Sequence, residues 1–360
     1  MKVLILSESS QPSRYWEGAL PLLNKKGMDA SFATVRGEGS IHARLAALGI
    51  ETFAFGATTA KDYPRAVLRL ARLLRENAFD VVHASEPIQA SIAGLACLYA
   101  RNTRCIFHYH HTKVTGMQKA LSRLGSWLSD RVMVVSNASR DATTKWDGTR
   151  TVKTFLAYNG IAPLPEVSSS QIEQLRKKLG IPKNAKIVTI VARLRPVKGH
   201  DTLFEACEIV AKDISEPLYL LVVGDGEERE RLMREIENFT AFTTHFVGNQ
   251  ENVALWYSAA DVVAMPSYFE PFGLVAVEAM SCGRPLIASG VDGLVEVIED
   301  GVSGLLVSPK DKTALADAIA SVLNQPCLAH RLGERGKHRV SERFTMEKMV
   351  EGWIECYRIA

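Results

Sequence analysis

The chain has 360 residues, 47% hydrophobic and 23% charged, with a net charge of +3. That length suits two α/β domains better than one, and the balance is that of a soluble globular protein, which excludes disordered and fibrous classes. The six cysteines, Cys97, Cys105, Cys207, Cys282, Cys327 and Cys356, show neither Cys-x-x-Cys nor His/Cys ligand spacing, so they read as buried thiols of a reducing compartment. The N-terminal MKVLILSES turns polar too soon for a signal peptide, and the uncharged run 88–100 is too short to cross a bilayer. The expected location is therefore the cytoplasm. The small net charge conceals an asymmetry. Residues 1–160 hold 21 Lys and Arg against 12 Asp and Glu, whereas 161–360 hold 22 against 28. A basic first half points to an anionic partner or peripheral contact with the inner face of a membrane. No basic-aromatic module points to nucleic acid.

VLILSE (3–8) predicts a first buried strand. The loop SSQPSRYWEGAL follows, with the single glycine Gly18, and then a helix to about Lys26, where Gly27 stops it. DASFATV and ETFAF read as strands around the helix IHARLAALGI. Residues 64–79 are amphipathic: Val67, Leu70 and Leu74 face one way and Arg65, Arg69 and Arg72 the other. That basic face is either solvated or a dock for anionic lipid head groups. DVVHAS (80–85) and RCIFHYHHT (104–112) read as strands flanking an apolar helix, with His83 structural at the end of the first. His108, His110 and His111 lie toward the carboxyl end of the second, where α/β sheets bind ligands, and alternation puts His108 and His110 on one face. No Cys or carboxylate completes a metal set beside them. Residues 114–129 predict a helix with Lys119 and Arg123 on its polar side. RVMVVSNASRDA predicts a strand entering a helix capped by Ser136 or Asn137. AYNGIAP (157–163) reads as a strand ending at the Asn159-Gly160 turn, and LPEVSSS as a linker.

The second half alternates strand and helix again. AKIVTIVARL (185–194) runs into RLRPVKGHD, where Arg193 and Lys198 flank a proline turn at a strand end, a natural setting for a diphosphate. Gly224-Asp225-Gly226 follows another strand. It lacks the third glycine of a dinucleotide fingerprint, which argues against an NAD oxidoreductase. VVAM (262–265) is a buried strand ended by Pro266. Phe272 and Gly273 then open a helix through about Met280, halted by Gly283 and Pro285. Its N-terminus offers backbone N–H groups at 272–275 to an anion such as phosphate. Glu270 and Glu278 bracket this turn without a basic neighbour at helical spacing. Ionised carboxylates only accept hydrogen bonds, which suits hydroxyl-rich ligands.

Glu270 and Glu278, seven residues apart with Phe-Gly between them, resemble the E-x7-E signature of retaining GT-B glycosyltransferases of family 4. The resemblance extends over most of the chain: Asn159-Gly160, Arg193, Lys198, Gly224-Asp225-Gly226 and the segment SGVDGLVEVIEDGVSGLLV, which matches a turn and strand pair. It departs at the first loop, where the family has a Gly-Gly pair and this chain only Gly18.

The resemblance implies an α/β GT-B fold: two doubly wound Rossmann-like domains facing across a cleft. Residues 1–162, with 345–360 crossing back onto them, would bind the acceptor. Residues 163–344 would bind a UDP-sugar or GDP-sugar donor, without cofactor or metal. By the same resemblance, Arg193, Lys198, Gly273 and Leu274 would hold the diphosphate. Glu270, Phe272, Gly273 and His110 would hold the donor sugar, with His111 second to His110, and Glu278 would hold the ribose. Glu270 and His110 would be the catalytic pair, and Gly18 would belong to the acceptor or first-loop contact. The expected activity is retaining sugar transfer to a hydroxyl acceptor, a glycan or lipid-linked molecule of cell-surface polysaccharide synthesis. A nucleotide-sugar epimerase of the same fold, or a non-catalytic sugar-nucleotide-binding subunit, is the alternative.

Overall fold

The computed structural model describes residues 1–112 and 115–360, so the predicted start of a helix at Val114 lies outside the described residues. The chain divides into two compact units, Met1–Ala162 with Met346–Ala360, and Pro163–Thr345. Each is built on one parallel sheet.

Unit 1 contains β1 (Lys2–Ser7), β2 (Asp29–Thr34), β3 (Thr52–Ala54), β4 (Val81–Ala84), β5 (Arg104–Tyr109), β6 (Arg131–Val134) and β7 (Thr154–Leu156), in the sheet order β3-β2-β1-β4-β5-β6-β7. The strands are apolar on both faces because helices cover both. Leu4 and Leu6 join one buried cluster while Val3 and Ile5 join the other. On β5 the same alternation sends Phe107 and Tyr109 to the first face and Ile106 to the second. The final helix, Met346–Ile359, packs against the helix Arg14–Lys25 on that second face and inserts Trp353 and Tyr357, both fully buried.

Unit 2 contains β8 (Lys186–Val191), β9 (Leu218–Val223), β10 (Thr243–Gly248), β11 (Val262–Met265), β12 (Leu286–Ser289) and β13 (Leu305–Val307), ordered β10-β9-β8-β11-β12-β13. Both sheets are doubly wound, and strand order reverses between β1 and β4 in unit 1 and between β8 and β11 in unit 2. Ligands of such sheets sit outside the carboxyl ends of the strands at that reversal. The segments leaving β8 and β11 carry Arg193, Lys198 and Glu270.

Two elements differ from the sequence reading. The strand expected at 157–163 is Thr154–Leu156. Its ladder ends when Ala157 N–H reaches Val134 O, and Asn159 turns aside to bond Tyr15. Of the strand pair expected within 289–307, only Leu305–Val307 forms beyond β12. The alternating run after Gly293 is a helical turn, Leu294–Val297, because Val297 N–H bonds Gly293 O. Among the described residues, no helix is long and apolar enough to cross a membrane.

Candidate active site

At the strand reversal of unit 2, β8 leads into a short 3₁₀ turn, Pro196–Lys198, closed by Gly199 at φ 70°. A side chain at Gly199 would collide with the Pro266 carbonyl, so only glycine lets this turn lie on the segment leaving β11. Tyr268 N–H bonds Val197 O at 2.8 Å, and Tyr268 Oη meets Thr202 Oγ1 at 2.9 Å. This docking brings Lys198 Nζ to 2.5 Å from Glu270 Oε2, with both side chains largely buried. A charge-assisted bond in so sheltered a place is shorter and stronger than a surface pair.

The backbone of Glu270 is fixed as tightly as its side chain. Asp292 Oδ2 accepts its N–H at 3.0 Å, and its carbonyl accepts Gly293 N–H at 3.1 Å. Asp292 adopts φ 42°, a left-handed conformation that Asp tolerates better than most residues. Gly293 lies against the Pro271 carbonyl with no room for a Cβ. Sequence reasoning assigned Asp292 no role; the Asp-Gly pair, a turn signal, was the available clue.

The helix beyond is Leu274–Ser281, preceded by Gly273 at φ 101°. A left-handed residue caps the helix and does not belong to it, so the donors without an intrahelical acceptor are those of Gly273, Leu274, Val275 and Ala276, one residue later than the 272–275 expected. The first closing bond is Val277 N–H to Gly273 O. A Cβ at Gly273 would sit 2.6 Å from Leu294 Cδ2 and 3.6 Å from Glu270 Cγ. The Phe272 ring is buried edge-on against Phe344, 5.7 Å between centroids, which leaves its backbone as the part available to a donor sugar. Glu278, half-buried, accepts a 2.9 Å bond from Tyr257 Oη. Burial first, and then the Glu278 charge, hold that phenol well above its ordinary pKa, so it remains a donor.

The Arg193 side chain is exposed and makes no ion pair or hydrogen bond among the described residues, while its carbonyl accepts Arg195 N–H. Its backbone is nevertheless set by the turn after β9. Ala192 N–H bonds Val223 O, and Leu194 N–H bonds Asp225 O at 3.0 Å. Gly224 and Gly226 lie directly against the Ala192 and Leu194 carbonyls, which explains both glycines of the 224–226 turn. Unit 2 thus gathers Lys198, Glu270, the helix N-terminus and Asp292 directly, with Arg193 on the adjoining turn and Glu278 one turn into the helix.

Unit 1 presents different chemistry. His110 follows β5 and its ring lies against that of His108, with centroids 4.0 Å and planes 41° apart. Burial first, opposed by Glu86 and aided by His111, lowers its pKa to about 4, so it is neutral at physiological pH. His111 instead bonds Glu86 at 2.8 Å. Gly18 is corrected outright. It lies inside the helix Arg14–Lys25, where a Cβ would strike the Met346 sulfur. The predicted loop shortens to 8–13 because Ser13 N–H bonds Glu17 Oε1 and starts the helix early. Gly18 is therefore a helix-packing glycine. Among the described residues no three His, Cys, Asp or Glu side chains converge as a metal cage.

The glycosyltransferase family 4 model matches residues 14–163, and the glycosyl transferases group 1 model matches 171–339. The N-acetyl-alpha-D-glucosaminyl L-malate synthase of Bacillus anthracis is 30% identical over 312 residues, covering 82% of this chain and 80% of that protein. The D-inositol 3-phosphate glycosyltransferase of Xylanimonas cellulosilytica is 33% identical over 202 residues, 54% of this chain and 47% of that protein. The chain spans about half the length of the inositol-phosphate relatives it matches. Anabaena HepE, crystallised with UDP-glucose, superposes with a TM-score of 0.86 at 25% identity over the whole of both chains. The chain belongs to the family 4 glycosyltransferases of GT-B fold.

Proposed function

We propose that the protein is a retaining glycosyltransferase that moves a sugar from a UDP-sugar to a hydroxyl acceptor. The observation that carries this reading is the Lys198–Glu270 pair beside the open helix N-terminus at the strand reversal of unit 2. A cation and a set of aligned N–H groups favour a diphosphate, and a carboxylate within the same few ångströms favours sugar hydroxyls. HepE, bound to UDP-glucose in its crystal, supports UDP over GDP as the carrier.

In this reading Arg193, Lys198 and the N–H groups of Gly273 and Leu274 hold the diphosphate and stabilise the charge that grows on it as the glycosidic bond breaks. Glu270 accepts hydrogen bonds from the donor sugar while Lys198 and Asp292 keep it in place. Glu278, oriented by Tyr257, accepts from the ribose. His110, a neutral imidazole, contacts the donor sugar from unit 1. The leaving phosphate takes the acceptor proton, so the sugar departs and the acceptor attacks on one face and the configuration is retained. No cofactor enters. The acceptor belongs to unit 1, and glycan or lipid-linked acceptors fit its basic character. Peripheral membrane contact would use Arg65 beside exposed Leu68, since Arg69 is bonded to Phe55 O and Arg72 is paired with Glu76.

Ligand-induced thermal shift with UDP, UDP-glucose and a GDP-sugar tests the donor, because selective binding raises apparent stability by mass action. Product NMR then tests retention. A product formed without acceptor would make the protein an epimerase, and tight UDP binding with no turnover of any donor would make it a binding subunit.

A further inference from the structure

Only one imidazole of unit 1, His110, enters the proposed transfer. Two more lie beneath it, His83 on β4 and His108 on β5, both fully buried. An imidazole taken from water loses hydration free energy unless its ring nitrogens find partners. His83 has two: Nδ1 lies 2.5 Å from Tyr357 Oη, and Nε2 lies 2.9 Å from His108 Nδ1. His108 has one, and its Nε2 is buried without a partner. Trp353 stands edge-on to both rings, at 5.0 and 5.7 Å between centroids. A column therefore runs from Tyr357 on the last helix through His83 and His108 to the underside of His110. The face of β5 that carries His108 otherwise packs Ile106 among apolar side chains, and an aliphatic residue at 108 would fill the same space without a desolvation cost.

The hydrogen bonds have a direction. Burial holds the Tyr357 hydroxyl well above its ordinary pKa, so it keeps its proton. A phenol is a better donor than a neutral imidazole, so Tyr357 donates to His83 Nδ1. His83 then carries its proton on Nε2 and donates to His108 Nδ1, and His108 carries its own on Nε2. Burial, aided by His110, lowers the pKa of His83 to about 3, and burial first lowers that of His108 well below the usual range. Both stay neutral where the enzyme would work. The other groups facing His110 are Tyr15, with ring centroids 6.5 Å apart, and the Glu86 and His111 side chains.

We propose that His83 and His108 are positioning residues: with Tyr357 they form a one-way hydrogen-bonded column whose top ring, His108, packs against His110 and holds that ring in a single orientation toward the reacting sugar. This rests on the reading that His110 meets the donor sugar.

The test is imidazole NMR on the whole chain, with donor turnover measured in parallel, for Tyr357→Phe and His108→Gln. Tyr357→Phe removes only a hydroxyl. It is expected to leave the unfolding midpoint and UDP binding at wild-type values, turn His83 and His108 into tautomer mixtures, and shift the His110 ring resonances. Turnover should fall roughly tenfold in kcat, with donor KM little changed. His108→Gln should lower kcat further, towards a hundredfold. Unchanged His110 resonances in both variants would overturn the proposal, as would altered tautomers with wild-type kcat. The NMR arm needs no substrate. A wild-type protein without turnover would therefore sink the transfer reading alone, whereas silent His110 resonances would sink the column alone.

Discussion

The two units use one topology for opposite kinds of site. In unit 2 the candidate groups are charged and set largely by backbone. Gly199, Gly224, Gly226 and Gly293 each lie against a carbonyl where a Cβ would collide, and those approaches place Lys198, Arg193 and Glu270. In unit 1 the groups are neutral rings set by side chains: His83, His108 and His110 packed among Trp16, Trp353 and Tyr357. A diphosphate is the same anion whatever sugar it carries, so a backbone-built cradle suits it. On the proposed reading His110 meets the donor sugar, whose shape and hydroxyls side chains distinguish better than backbone does.

Breaking unit 2 at its centre should have the largest effect. Glu270→Ala removes the sugar acceptor and strands the largely buried Lys198 charge. Transfer should fall by at least about 10²-fold in kcat, the order seen when one preorganised electrostatic group is lost, with circular dichroism unchanged. Turnover within a few-fold of wild type would detach Glu270 from the chemistry and leave unit 2 a nucleotide-binding site only.

Acid should separate the units next. His83 and His110 are held at about 3 and 4, and His108 is also well below its ordinary value, each through burial first. In the unfolded chain they bind protons near pH 6.5. Between about pH 6.5 and 4 the unfolded state therefore takes up protons that native unit 1 refuses. Stability is full above that window and is lost as pH falls through it. Unit 2 buries one comparable imidazole, His200, at about 4. Hydrogen exchange at pH 7 and pH 4.5 should show protection lost first in β4 and β5. Equal or earlier loss in β8 and β11 would contradict the contrast.

Arg193→Ala sharpens the comparison from the exposed side. With no protein partner to strand, its loss should leave the unfolding midpoint within a degree or so. UDP affinity should weaken by about 1.5–3 kcal/mol, the worth of one hydrogen bond to a charged group, measured by calorimetry. A changed midpoint with unchanged affinity would make Arg193 structural.

What could be read from the sequence divides along the same line. The alternation of strands and helices, the turn carrying Lys198 and the Gly224–Gly226 turn follow from local chemistry, because glycine and proline mark backbone requirements directly. Gly18 misled because a glycine in a polar stretch resembles a loop residue, and only the returning helix at Met346 shows why it must be small. Tyr257 and Asp292 were assigned no role because each acts through a partner, 21 residues away for Tyr257 and 22 for Asp292, and no local pattern encodes such distances. The His83–His108–Tyr357 column brings together residues as much as 274 positions apart.

The smallest expected effect falls on one of these unseen residues, and it tests whether unit 2 is as backbone-defined as proposed. Asp292 contributes two separable things: the acceptor for Glu270 N–H and a left-handed φ. Alanine loses the acceptor and adopts that conformation poorly, whereas asparagine keeps a side-chain oxygen and is at home there. Asp292→Ala should lower stability by about 1–2 kcal/mol and loosen Glu270, so kcat should drop several-fold while UDP affinity stays near wild type. Asp292→Asn should restore both stability and kcat, because neither requires the negative charge. If Asn fails where Asp works, the charge itself acts on the donor, and Asp292 belongs with Glu270 among the groups that meet the sugar and not with the frame that holds it.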